Sequence, residues 1–317
     1  MSTIRIVVGM LSVGLMILGA GRVSSQAYPN KPIRILAGSV GSNADTTARL
    51  AAQGISGPLG QPVIVENRPG NILPELVAKA PPDGYLIFIT GGSVWIRPFL
   101  QNTNYAVSDL APITVATTSP DILVVHPSLP VKSVKELIAL AKARPGELNY
   151  ASGPTGSSQH MEGELLKSLA GVDIVRIIYQ GTEAQIRALV IGEVQLAFVG
   201  AVGVAPYLKS GKLKALAVGS PKPSAMSPGL PTIAASLPGF EPVSELAMFA
   251  PAKTPAEIIS RLNQEIVRVL NQADVKAKLL NLGVEVVGSS PEQAAAKIKD
   301  DMARMGKLIK DAGIKGN

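Results

Sequence analysis

The run Ile33-Arg34-Ile35-Leu36-Ala37-Gly38-Ser39-Val40-Gly41-Ser42-Asn43-Ala44-Asp45 passes from one structural period to another. Ile33 to Leu36 is a short aliphatic stretch that reads as a strand. Asp45 to Ile55 has the spacing of a helix. The loop between them combines Gly38 and Gly41 with hydroxyl and amide side chains. A strand that runs through such a turn into a helix is the opening of an α/β unit.

The unit recurs along the chain. Leu148-Asn149-Tyr150 leads through Ser152-Gly153-Pro154-Thr155-Gly156-Ser157-Ser158 into a helix that reaches Leu165. Val63 to Val65, Leu86 to Ile89, Ile174 to Tyr179 and Val194 to Val199 read as strands, and Glu183 to Ile191 as a helix. Ser133-x-x-Glu136, Thr254-Pro255-Ala256-Glu257 and Ser290-Pro291-Glu292-Gln293 have the form of capping boxes at helix starts. Ile258, Leu262, Ile266 and Val269 mark the buried stripe of one such helix. The alternation predicts an α/β fold with largely parallel sheets.

Residues 1–27 stand apart from this pattern. They carry Arg5 near the start and no acidic residue, an apolar run from Ile6 to Ala20, and Ser25-Gln26-Ala27 with small residues where signal peptidase requires them. They read as a cleavable export signal, with a mature chain from Tyr28 working in the periplasm. The apolar run is short for a membrane anchor, and without cysteine the chain has no site for lipid attachment. The lack of cysteine also leaves an exported chain without disulfides and without thiolate chemistry. With only His126 and His160, a histidine-built metal site is not expected, nor is any cofactor.

Composition sets further bounds. At 46% hydrophobic and 17% charged the chain is globular rather than disordered, and with 4% aromatic residues its core must be aliphatic. The net charge of +7 is spread along the sequence rather than clustered with aromatics, which argues against nucleic acid and suits small anionic ligands. Polar or Pro- and Gly-rich stretches at 102–108 and 219–231 suggest two crossings between domains. The expected division is 28–104 with 222–317 as one discontinuous domain and 105–221 as an inserted one, a ligand cleft lying between them.

Both glycine-rich loops open onto a helix N-terminus, where free N–H groups and the helix dipole favour an anion. Taken singly, each is also what an ordinary strand-to-helix turn with an N-cap looks like.

Longer motifs narrow the choice. They include Tyr28-Pro29-Asn30-Lys31-Pro32-Ile33-Arg34, Gly60-Gln61-Pro62-Val63-Ile64-Val65-Glu66-Asn67-Arg68-Pro69-Gly70 and Ala80-Pro81-Pro82-Asp83-Gly84-Tyr85. Asn149-Tyr150-Ala151-Ser152-Gly153, Gly156-Ser157-Ser158-Gln159-His160, Tyr179-Gln180-Gly181-Thr182 and Phe249-Ala250-Pro251-Ala252-Lys253-Thr254-Pro255 follow in order. Across the whole mature chain the sequence resembles the periplasmic substrate-binding receptors of tripartite tricarboxylate transporters, the Bug-type family. The resemblance implies a two-domain type II periplasmic-binding fold that closes on a small carboxylate and delivers it, as a monomer, to membrane subunits of such a transporter. It implies no enzymatic activity. Pro154 departs from the glycine usual at its position.

The resemblance and the loops together nominate Gly38, Ser39, Val40, Gly41, Ser42, Asn43 and Asp45 from the first loop as ligand-binding residues. Gly153, Thr155, Gly156, Ser157, Ser158 and His160 are nominated from the second. Tyr179, Gln180, Gly181 and Thr182, at a strand end where α/β sites gather, join them, with Ser93 and Gly200, which follow two other strands. His160 reads equally as a packed side chain, Arg97 as a distal carboxylate fork or a solvated cation, and Trp95 as a cleft or core residue. Two other readings compete. One is a sensory receptor with a signalling partner. The other is a hydrolase using Ser157 or Ser158 with His160, which would need a base aimed at the nucleophile.

Overall fold

The strand-to-helix units assemble into two sheets, seen in a computed structural model that describes residues 28–315. The export signal expected at 1–27 lies outside the described residues. In chain order, β1 (Ile33–Ala37), α1 (Asn43–Leu59), β2 (Val63–Asn67), α2 (Leu73–Ala78), β3 (Leu86–Gly91), α3 (Ser93–Ile96) and β4 (Leu110–Thr118) come first. Next are β5 (Asp121–Val125), α4 (Val134–Ala143), β6 (Asn149–Ser152), α5 (Ser158–Ala170), β7 (Val175–Ile178), α6 (Thr182–Val190), β8 (Leu196–Gly200), α7 (Ala201–Lys209) and β9 (Lys214–Val218). Last are β10 (Glu245–Pro251), α8 (Ala256–Leu270), α9 (Ala273–Asn281), β11 (Glu285–Val286) and α10 (Pro291–Asp311).

One sheet has the order β11-β4-β10-β3-β1-β2 and the other β7-β6-β8-β5-β9. In the first, side chains alternate between two cores. Ile33, Ile35, Ile87 and Ile89 pack with α1 and α8, while Leu36 and Phe88 join the core that includes Ile298, Met305 and Leu308 of α10. Burial on both faces explains why these strands are largely aliphatic rather than regularly alternating, although β1 also carries the exposed Arg34. Helices α1 and α8 approach closely at Gly54, where a Cβ would sit 2.5 Å from the Val269 methyls.

Both sheets are mixed rather than largely parallel. β10 runs against β3 and β4, and β5 runs against β8 and β9. β5 and β10 are each the first strand after the chain crosses from one sheet to the other; the two-residue β11 also runs against β4. Asp121 at the start of β5 pairs with Gly200 at the end of β8, and Leu246 near the start of β10 with Gly91 at the end of β3. The C-terminal ends of the other strands meet where the chain crosses, so a strand entering from that side must run the opposite way.

The crossings differ from the expected boundaries at 104/105 and 221/222. Residues 110–118 are hydrogen-bonded into the first sheet as β4, which puts the first crossing at Ser119-Pro120. Residues 219–242 pack on the second sheet, where Val218 bridges Thr232 and Phe240 stacks on Phe198 of β8 with ring centroids 6.0 Å apart, although Ser224 also reaches Glu285 of β11. The second crossing is therefore at Val243-Ser244. The two run side by side, with Ser119 N donating to Ser244 O at 3.1 Å and the Thr118 and Ser244 hydroxyls 3.0 Å apart.

Two of the three capping motifs cap a helix. Ser290 and Gln293 form the reciprocal box, and Ser133 Oγ accepts from Glu136 N while the Glu136 carboxylate takes the amide of Lys132. Thr254 does not cap; its hydroxyl donates to Pro251 O, and α8 starts one residue beyond Pro255.

Candidate functional site

The two nominated loops fold in the same way. In the first, Gly41 has φ +77°, Ser42 is the N-cap of α1, and Ser42 Oγ accepts from Asp45 N at 3.2 Å. The amide of Gly41 donates to Asp45 Oδ2 at 2.9 Å. In the second, Gly156 has φ +82°, Ser157 is the N-cap of α5, and Ser157 Oγ accepts from His160 N at 3.3 Å. The amide of Gly156 donates to His160 Nδ1 at 3.1 Å. In both, the side chain three residues after the cap reaches back to hold the glycine, and the left-handed turn it holds suits glycine alone.

These bonds decide which amides remain for a ligand. Helix geometry leaves the first-turn N–H groups without intrahelical partners. The cap serines satisfy Asp45 N and His160 N, and Thr46 N and Met161 N bond to the carbonyls of Ser42 and Ser157. The amides of Asn43 with Ala44 and of Ser158 with Gln159 are left at the two helix starts.

Both starts reach one cavity of about 400 Å³ between the sheets. Asn43 lines it from α1, Ser93 and Ile96 from α3, and Ser157, Ser158 and Met161 from α5. The crossings supply Ser119 and Ser244, with Glu245 beside them and Met305 arriving from α10. The Glu245 carboxylate is already engaged, accepting from Ser244 N at 2.9 Å and lying 3.1 Å from Lys297 Nζ. A second cavity of about 370 Å³ adjoins the first and shares Ser93, Gly156 and Ser157 with it; Arg97, Gln101 and Thr155 are among its lining.

Several nominated residues stand behind the cavity rather than on it. Asp45 is 2% exposed, and its carboxylate accepts from Gly41 N, Arg49 and Asn67. Burial opposes its ionisation, but these hydrogen bonds outweigh burial and hold the carboxyl below the ordinary aspartate range. His160 is 3% exposed. Burial first, then the nearby Arg176 cation, pushes its imidazole down to about 4, so it is a neutral acceptor for Gly156. Its ring is directed at that amide and not at a serine hydroxyl, so the base-to-nucleophile contact a hydrolase needs is not formed. Gly153 offers its carbonyl to Arg176 Nη2 at 2.8 Å, and the same guanidinium reaches Ser152 Oγ and Thr155 Oγ1. Arg176 thus braces the second loop from β7.

Gly38 accepts from Asn67 Nδ2, and Ser39, Val40 and Gly41 are exposed beside the cavity without lining it. Tyr179 faces a separate hollow with Arg187 and Tyr207, while Gln180, Gly181 and Thr182 are exposed at the start of α6. Gly200 is the N-cap of α7. Trp95 is fully buried against Phe249 and belongs to the core. The lining residues Ser119, Ser244 and Met305 carry no sequence signal, because they reach the cavity through the crossings and the last helix rather than through a motif.

Similarity to known proteins agrees with this architecture. The sequence model of the tripartite tricarboxylate transporter family receptor, TctC, matches residues 47–314. BugT of Bordetella pertussis is 32% identical over 315 residues, covering 96% of this chain and 97% of its own. The R. palustris protein Rpa4515, solved with adipate, is 34% identical with a TM-score of 0.74, over 92% of this chain and 100% of that one. MatC from Rhodopseudomonas palustris, solved with bound malate, is 27% identical with a TM-score of 0.70, over 89% and 100%. The family is one of binding receptors rather than enzymes. This chain belongs to the tripartite tricarboxylate transporter receptor family.

Proposed function

We propose that the protein is a periplasmic receptor that binds a small carboxylate in the cleft between its two sheets and delivers it to the membrane subunits of a tripartite tricarboxylate-type transporter. The observation that carries this reading is the convergence of two capped helix starts, at Asn43 and Ser158, on one cavity. Free first-turn amides and two helix dipoles make that space favourable for anionic oxygen without a dedicated cation. Adjacent crossings at Ser119 and Ser244 supply a hinge about which the lobes close. Export through residues 1–27 and action as a monomer belong to the same reading. The adipate and malate in the two R. palustris relatives support the ligand class.

A thermal-shift screen against mono-, di- and tricarboxylates, aromatic acids and acidic amino acids tests it, because a ligand that binds only the folded state raises Tm. A rise confined to one class of acids, lost in the matching amides, is the expected result. A flat screen refutes carboxylate binding. Co-purification of the liganded protein with membrane subunits tests delivery.

A further inference from the structure

The second cavity holds a cation that the carboxylate reading does not use. Arg97 follows α3 directly, is half-buried, and lines the space next to Gln101 and Thr155. Among the described residues no carboxylate pairs with its guanidinium; Arg144, Arg176, Arg187 and Arg261 are likewise without a carboxylate, but Arg97 alone of these lines either cavity. The neighbouring Tyr105 supplies no counter-charge: burial pushes its hydroxyl up, and that hydroxyl donates to Val94 O. Among the described residues the one carboxylate lining either cavity is Glu245, in the first, and it is taken by Lys297. The charge across the two adjoining cavities is therefore uneven, with helix-start amides on the first and a guanidinium without a carboxylate partner on the second. Ser93, Gly156 and Ser157 belong to the lining of both.

We infer that Arg97 is a specificity-determining residue, which reads a second acidic group on a ligand long enough to extend past Ser93, Gly156 and Ser157 from the first cavity to the second. The inference rests on the proposed carboxylate binding and goes beyond it. One carboxylate sits at the helix starts of α1 and α5, and the distal one meets the planar fork of Arg97, the geometry in which arginine binds a carboxylate bidentately. An acid with a single head fills the first cavity only and is indifferent to Arg97.

Titration calorimetry with the purified protein tests this. The probes are the unbranched diacids from succinate to suberate, each compared with its monomethyl ester, with hexanoate and benzoate as single-headed acids. In the wild type the preferred diacid is expected to bind about tenfold or more tightly than its monoester. Arg97→Ala brings that ratio near one without changing the monoester Kd, which also reports that the variant is folded. Arg97→Lys keeps part of the ratio. A wild-type ratio near one, or a ratio that Arg97→Ala leaves unchanged, overturns the assignment. Binding of single-headed acids alone overturns it while the carboxylate reading stands. If none of the acids binds, both fall.

Discussion

Gly41-Ser42-Asn43-Ala44-Asp45 and Gly156-Ser157-Ser158-Gln159-His160 are alike in backbone and opposite in electrostatics. Each has a left-handed glycine, a serine cap and a side chain that returns to the glycine amide. Asp45 is an ionised carboxylate supported by Arg49 and Asn67. His160 is a neutral imidazole beside Arg176. The same turn can thus be held by an anion or by a neutral acceptor, provided the acceptor is buried and its lone pair is aimed at the glycine. What differs is how each loop responds to crowding, truncation and acid.

Crowding separates them most. A Cβ at Gly156 would lie 2.7 Å from Leu100 Cδ1, in addition to the strain of φ +82°, while a Cβ at Gly41 meets open space. Gly156→Ala is expected to weaken ligand binding several-fold, because the Leu100 methyl must shift in addition to the backbone strain. Gly41→Ala should cost only the backbone strain of about 1–2 kcal/mol and weaken binding modestly. Calorimetry on both variants checks the order; equal losses would show that the approach of Leu100 is irrelevant.

Truncating the returning side chain comes next. Asp45→Ala removes the acceptor shared by Gly41, Arg49 and Asn67, and the loss of these hydrogen bonds, one of them to a half-exposed arginine, is expected to cost about 2–3 kcal/mol. His160→Ala strands only the Gly156 amide, for about 1–2 kcal/mol. Urea unfolding of the two variants compares them, and a larger loss for His160→Ala would break the assignment of Asp45 as the hub of its loop.

Acid should open the second loop before the first. The His160 imidazole titrates near 6.5 when unfolded and about 4 when folded. Its contribution to stability is full above pH 6.5 and is lost as pH falls from there toward 4, because the unfolded chain binds the proton more readily. Asp45, held below the ordinary range, loses its contribution only at lower pH. Asp121 and Glu162 act in the opposite sense. Burial raises both, Asp121 to about 6, so their folded state gains stability as pH falls through that value toward 4. Subtracting the Tm-versus-pH curve of His160→Gln from that of the wild type removes this background. The difference should shrink by the equivalent of about 1–2 kcal/mol between pH 7 and 4.5. A pH-independent difference would mean that His160 does not titrate against the loop.

Much of this architecture was legible in the sequence, and the limits have physical causes. The strand at Ile33 to Leu36 and the helix after it were visible because buried parallel strands are aliphatic and helices carry their own period. Strands β4, β5, β9 and β10 were not read from the sequence; in β4, Pro112 and two register irregularities against β10 blur the pattern. The reversed strands β5 and β10 have the same composition as parallel ones, so direction had no local signature. Both glycine loops read as strand-to-helix turns and fold as such, whereas Asp45 and His160, read as ligand groups, turn back to the glycine amides; a polar residue three positions after a cap serves either purpose. Ser119 and Ser244 depend on the path of the chain between sheets and could not be found from a motif.

The cap serines give the smallest effect and the sharpest comparison. Ser42 and Ser157 accept equivalent bonds at 3.2 and 3.3 Å, so Ser42→Ala and Ser157→Ala should each cost about 1 kcal/mol in urea unfolding. Their positions are not equivalent for a ligand, because Ser157 lines both cavities and Ser42 lines neither. Equal stability losses with an affinity loss confined to Ser157→Ala would separate building a helix start from using it. Unequal stability losses would show instead that the two turns are only superficially alike, and that the charge on Asp45 changes what its cap contributes.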